Sequence, residues 1–86
     1  MKLMFTEPGW RDHLYWQENE PRIPRKVNGL ILECSRTPFT GTAKPEPLRR
    51  NLKGWWSRRI TDEHRLIYRV EGDVLWIGSC RFHYGD

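Results

Sequence analysis

The last third of the chain leaves few folds open. Between Trp55 and Tyr84 it reads Trp-Trp-Ser-Arg-Arg-Ile, then His-Arg-Leu-Ile-Tyr-Arg-Val, then Val-Leu-Trp-Ile-Gly-Ser-Cys-Arg-Phe-His-Tyr. Only Thr61-Asp62-Glu63 and Glu71-Gly72-Asp73 separate these runs of β-branched and aromatic residues. Such runs, joined by connections of about three residues, predict a three-stranded antiparallel meander. With Ile60 facing His64 and Val70 facing Val74, Arg59 lies opposite Arg65, and Arg65 opposite Ser79. Opposed residues, and residues two apart on a strand, point to one side of a sheet. This register gathers Arg59, Arg65, Arg81 and His83 on one face. So much positive charge in one place costs stability unless an anion binds there.

The rest of the chain supplies the other layer. Lys2 to Phe5 is a short apolar run of strand type, and Thr6 is an N-cap followed by Glu7 and Pro8 in a first helical turn. That helix runs to about Asn19, with Trp10 and Leu14 as its apolar stripe and Tyr15 beside them. A second helix, from Pro21 to about Arg36, carries Ile23, Val27, Leu30, Ile31 and Cys34 at helical spacing. Pro24 places the start of its regular part near that residue, because a proline ring strikes the carbonyl four residues back. Thr37 to Pro47 holds three Pro and one Gly and reads as loop; Leu48 to Leu52 reads as a further strand. Leu66, Tyr68 and Val70, with Trp76, Cys80 and Phe82, form the face the helices should cover. The expected class is α+β: an N-terminal helical hairpin packed on one face of a twisted, mostly antiparallel sheet.

At 86 residues the chain makes one domain, spanning 1–86, and its charge is +4. The two cysteines, Cys34 and Cys80, have neither metal-ligand nor redox spacing, and each falls where an apolar residue fits. Reduced core thiols in a reducing, cytoplasmic setting are the expectation. The first residues turn polar too soon for a secretory signal, and no stretch approaches the ~20 apolar residues that span a bilayer.

A basic face on a small domain suits RNA, which carries its own nucleophile in the ribose 2′-hydroxyl. Cleavage then needs a base for that proton, an acid for the leaving 5′-oxygen and a cation for the growing phosphorane charge, but no metal or cofactor. His83 suits the acid, Arg59 and Arg65 suit the phosphate, and Glu46, braced between Pro45 and Pro47, suits the base. Tyr84 beside His83 can stack on a base or bind a phosphate. Plainer readings stand beside these: arginines paired with Asp62, Glu63 or Glu71, a surface histidine, and an inert loop glutamate. Scattered His13, His64 and His83, with no Cys-x-x-Cys or His-Glu-x-x-His, argue against a metal centre.

Taken together the chain resembles the YoeB-like toxins among the RelE-like ribosome-dependent endoribonucleases. The likeness runs nearly end to end. It is densest in Lys44-Pro45-Glu46-Pro47-Leu48, Trp56-Ser57-Arg58-Arg59-Ile60, Glu63-His64-Arg65-Leu66-Ile67-Tyr68 and Cys80-Arg81 with His83-Tyr84. The resemblance implies a toxin that enters the ribosomal A site and cuts the exposed mRNA codon, leaving a 2′,3′-cyclic phosphate or 3′-phosphate and a 5′-hydroxyl. By position, Glu46 would be the general base, His83 the general acid and Arg65 the phosphate ligand. Arg59 and Tyr84 would orient the mRNA, and Lys44 and Arg49 would add positive charge. It also implies a YefM-like antitoxin and a homodimer. Pro24, Phe82 and the added Gly85-Asp86 depart from the pattern expected of the family. A non-catalytic RNA- or ribosome-binding module is the competing reading.

Overall fold

A computed structural model describes residues 1–82. It contains strand β1 (Lys2–Phe5), helices α1 (Glu7–Asn19) and α2 (Arg22–Arg36), and strands β2 (Glu46–Pro47), β3 (Trp56–Arg59), β4 (Arg65–Glu71) and β5 (Val74–Ser79), with a short 3-10 turn at Arg50–Leu52. The strands form one sheet in the order β1-β5-β4-β3-β2, in which only β1 runs parallel to its neighbour. The two helices lie on one face of this sheet, an α+β arrangement of the expected kind. Among the described residues no helix is long and apolar enough to cross a membrane.

Helix α1 starts where the cap residue directs it. The Thr6 hydroxyl accepts from the Gly9 amide at 3.1 Å and donates to the Gly78 carbonyl at 2.8 Å, so one side chain caps the helix and ties it to β5. The buried stripe of α1 is Gly9, His13 and Trp16, not Trp10 and Leu14, which are exposed. His13 is tolerated inside because its two ring nitrogens pair with Asn28 and Gln17, each at 2.8 Å. Gly9 allows close approach: a Cβ there would run into the Ile77 carbonyl. Helix α2 buries Val27, Leu30, Ile31 and Cys34, as its spacing predicts, together with Pro24, while Ile23 is half-buried. It begins at Arg22, so Pro24 falls in the first turn, where its missing N–H has no intrahelical partner to lose.

The β3–β4 hairpin has the expected register, with Arg59 opposite Arg65. The next hairpin differs. Its loop is two residues, with Gly72 at φ 61, so Glu71 rather than Val70 pairs with Val74. A bulge then lets Tyr68 pair with Ile77 while Ile67 pairs with Ser79, leaving Gly78 as the extra residue in β5. Ser79 therefore does not oppose Arg65. Leu75 and Ile77 face the helices, Trp76 lies opposite Arg69 on the other face, and Phe82 is exposed. Leu48 to Leu52 is not a strand: Arg50 has φ 58, which ends extended pairing and opens the 3-10 turn. Cys34 and Cys80 are free thiols in the core, pushed by burial to about 11 and about 12 respectively.

Replacing Gly9 with alanine should destabilise the protein by about 1–3 kcal/mol, the range for an overpacked contact. Urea unfolding of Gly9→Ala beside an exposed control, Gly29→Ala, measures the effect. The Gly29 variant meets no neighbouring atom and should be neutral or slightly stabilising.

Candidate functional site

Strand β3 carries two consecutive arginines, so one must face the sheet's interior side. Arg59 takes the open face with Ser57, and Arg58 points to the helices with no exposed surface. A bare charge there would be prohibitively desolvated. Arg58 instead donates from Nε to the Tyr68 hydroxyl at 3.2 Å and from Nη2 to the Thr37 and Thr40 carbonyls at 2.5 and 2.8 Å. Nη1 donates to the Glu33 carboxylate and, at 3.3 Å, to the Thr42 carbonyl. The Tyr68 hydroxyl in turn donates a hydrogen bond to the Pro38 carbonyl. Glu33 also accepts from the Thr42 hydroxyl and amide, both at 2.7 Å, and those two bonds, with Arg58 adding to them, hold its carboxyl below the usual range. The proline-bearing loop is wrapped around a single guanidinium.

That wrapping decides where the loop ends. Ala43 and Lys44 both lie in the left-handed region, at φ 63 and 52, and the Ala43 carbonyl accepts from the Arg59 amide at 2.8 Å. The chain then runs alongside β3, where Glu46 pairs with Ser57. Ser57 and Arg59 share a side of β3, so Glu46, Arg59 and Arg65 share the face the helices leave free. Glu46 and Lys44 are exposed, while Arg59 and Arg65 are half-buried. Arg49 is exposed at the entry to the 3-10 turn and has no strand partner among the described residues.

Two guanidinium groups facing each other repel unless acceptors surround them. Arg65 Nη1 donates to the carbonyls of Thr61, Asp62 and His64 at 2.7, 3.2 and 3.1 Å, which fixes its head over the β3–β4 turn. Arg59 pairs with the exposed Asp62 carboxylate at 3.7 Å. Its Nε is buried and donates to nothing among the described residues. An incoming anion would find a positive potential on this face.

Arg81 does not join this face. Its guanidinium lies 3.5 Å from the centre of the Tyr15 ring on α1. His83 and Tyr84 fall outside the described residues. Two buried or half-buried groups that sequence reasoning left out hold the site: Arg58, and His64, whose Nδ1 accepts from the Phe82 amide at 2.7 Å. A cavity of about 420 Å³ lies elsewhere, between β1, α1 and α2, and its lining includes none of the expected site residues.

The model of the YoeB-like toxin family of bacterial type II toxin–antitoxin systems matches residues 5–84. The chain belongs to that YoeB-like family. It is 58% identical over 84 residues to Toxin YoeB of Escherichia coli K12, covering 98% of this chain and 100% of that one. Its fold is similar to a YoeB/ParE toxin from Agrobacterium tumefaciens, with a TM-score of 0.95 at 50% identity, covering 98% and 100% of the two chains. Two Staphylococcus aureus structures, a YoeB–YefM complex and a YoeB dimer, superpose with TM-scores of 0.89 and 0.90 at 38% identity, each covering 98% of both chains. These YoeB-like relatives also agree with the arrangement of two helices and a five-stranded mixed sheet.

Glu33 gives the Arg58 cluster a pH signature. A carboxyl held lower in the folded chain than in the unfolded one adds stability above its unfolded value, about 4.3, and loses it as pH falls through the folded value. Urea midpoints of wild type and Glu33→Gln should therefore differ at pH 7, and the gap should narrow as pH falls below about 4.3. A constant gap across that window would remove Glu33 as the cause.

Proposed function

We propose that the chain is an endoribonuclease that cuts mRNA in the ribosomal A site by general acid–base catalysis. Glu46 takes the proton of the 2′-hydroxyl, which attacks the adjacent phosphate. Arg65 holds the non-bridging oxygens as charge grows on the phosphorane, and His83 protonates the departing 5′-oxygen. Arg59 and Tyr84 orient the mRNA, and Lys44 and Arg49 raise the local positive potential. The nucleophile belongs to the substrate, so the balance closes without metal or cofactor: a 2′,3′-cyclic phosphate and a 5′-hydroxyl are the products.

The observation that carries this reading is the meeting of Glu46 with the opposed Arg59–Arg65 pair on the free sheet face. A carboxylate among phosphate-binding arginines weakens simple anion binding, and makes sense where a proton has to be removed. The ribosome supplies alignment. A held codon offers its 2′-hydroxyl in line, whereas free RNA loses orientational freedom at the site. The family membership and the S. aureus complex support a YefM-like antitoxin as the inhibitor, and the S. aureus dimer supports self-association. A cytoplasmic setting follows from a ribosomal target.

Glu46→Ala and His83→Ala should each slow cleavage of ribosome-bound mRNA by roughly 10²–10⁴-fold while leaving ribosome binding intact. Primer extension and co-sedimentation read the two effects. Full cleavage by the double variant would leave only the non-catalytic binding module. Arg59→Ala should weaken binding to single-stranded RNA and lower the slope of log K against log salt by about 0.7. Filter binding at several salt concentrations measures that slope.

A further inference from the structure

Beyond the end of β5 the chain is held by groups that sheet pairing does not require. The Cys80 amide donates to the Asp12 carboxylate at 3.1 Å, and the Cys80 carbonyl accepts from the Trp16 indole at 2.8 Å. Phe82 is gripped through both of its backbone groups: its carbonyl accepts from the Arg65 amide at 3.1 Å, and its amide donates to Nδ1 of His64. Phe82 has φ 64, in the left-handed region that disfavours a residue with a Cβ. Phe82 is 59% exposed, and its ring meets the His64 ring, with centroids 5.7 Å apart, and the Arg81 guanidinium. The restraint on the backbone comes from β4, through His64 and Arg65.

His64 is itself well held. Its ring sits edge-on to Trp16, with centroids 4.7 Å apart, and its carbonyl accepts from Arg65 Nη1. Because Nδ1 accepts a hydrogen bond, the neutral ring carries its proton on Nε2. We propose that His64 is a positioning residue for cleavage: its Nδ1 fixes the Phe82 peptide, and so the point from which His83 departs. Successive Cα atoms are about 3.8 Å apart, so displacement of Phe82 passes directly to the next residue. A misplacement of about 1 Å can cost ~10²-fold in rate. The same histidine thus contacts the carrier of the proposed acid and the proposed phosphate ligand, Arg65. The inference rests on His83 being the general acid.

The test uses the full chain on ribosome-bound mRNA, with His64→Phe, which keeps a ring but no acceptor, and His64→Asn, whose Oδ1 replaces Nδ1. His64→Phe should lower the rate at saturating ribosomes by about 10–100-fold, with half-saturation changed less than about twofold. His64→Asn should recover to within about fivefold of wild type. Amide hydrogen exchange at Phe82 should speed up in the first variant and not in the second. If His64→Phe does not fold, His64→Leu, close to Asn in shape but without an acceptor, takes its place. A wild-type rate in the variant lacking the acceptor, or equal loss in both variants, would overturn the positioning role. His83→Ala is run alongside. Its loss of activity with His64→Phe unaffected would sink this inference alone, whereas full activity of His83→Ala would sink the acid assignment and this inference with it.

Discussion

The buried guanidinium of Arg58 is the constraint around which the functional half of the protein is arranged. A charge that reaches the interior must have every donor met, and three carbonyls of an irregular loop meet it together with the Glu33 carboxylate and the Tyr68 hydroxyl. Meeting those donors shapes the segment from Thr37 to Thr42 without regular secondary structure. Gly41 at φ 118 lies against the Glu33 carboxylate, where a side chain would intrude. The same bonds deliver Ala43 to the Arg59 amide, and hence β2 to the edge of the sheet. A single polar cluster therefore links helix α2, the core strand β4 and the edge strand that bears Glu46.

The free face is a second consequence of the same two arginines. Alternation along β3 sends Arg58 inward and Arg59 outward, and the hairpin sets Arg65 against Arg59. Repulsion between these heads is offset by turn carbonyls and by Asp62, not by burial of a strong counter-charge. Asp62 is nearly fully exposed, so its pairing with Arg59 contributes little and is easily exchanged for a phosphate. In the proposed reaction the face is therefore ready for an anion before one arrives. Modest acid–base groups are enough if the substrate comes already aligned.

Much of this fold is legible in the residues, for reasons that can be named. The β3–β4 register follows from a short connection between strongly patterned runs, and α2 from a clean apolar stripe. The β4–β5 register is not legible, because the two-residue loop moves Trp76 to the free face while the bulge at Gly78 keeps Cys80 in the core. Helix α1 misleads because its inward stripe contains Gly9 and His13, one selected for close approach and the other satisfied by Asn28 and Gln17. Arg58 was open to inference: with Arg59 assigned outward, its neighbour had to point inward and needed acceptors. His64 was not, since nothing in its spacing announces a bond to the backbone of Phe82. Spacing alone also does not bring Glu46 to the arginines; the resemblance to YoeB-like toxins does, and the loop around Arg58 shows how the chain gets there.

The chemistry of the cut ends tests the account most directly. If the substrate's own 2′-hydroxyl attacks, fragments cut from ribosome-bound mRNA carry 5′-hydroxyls, and polynucleotide kinase labels them without prior phosphatase treatment. Their 3′ ends are cyclic or simple phosphates, and far fewer cuts appear on the same RNA without ribosomes. Fragments bearing 5′-phosphates and free 3′-hydroxyls would mean that water attacked, and would contradict the roles given to Glu46, Arg65 and His83.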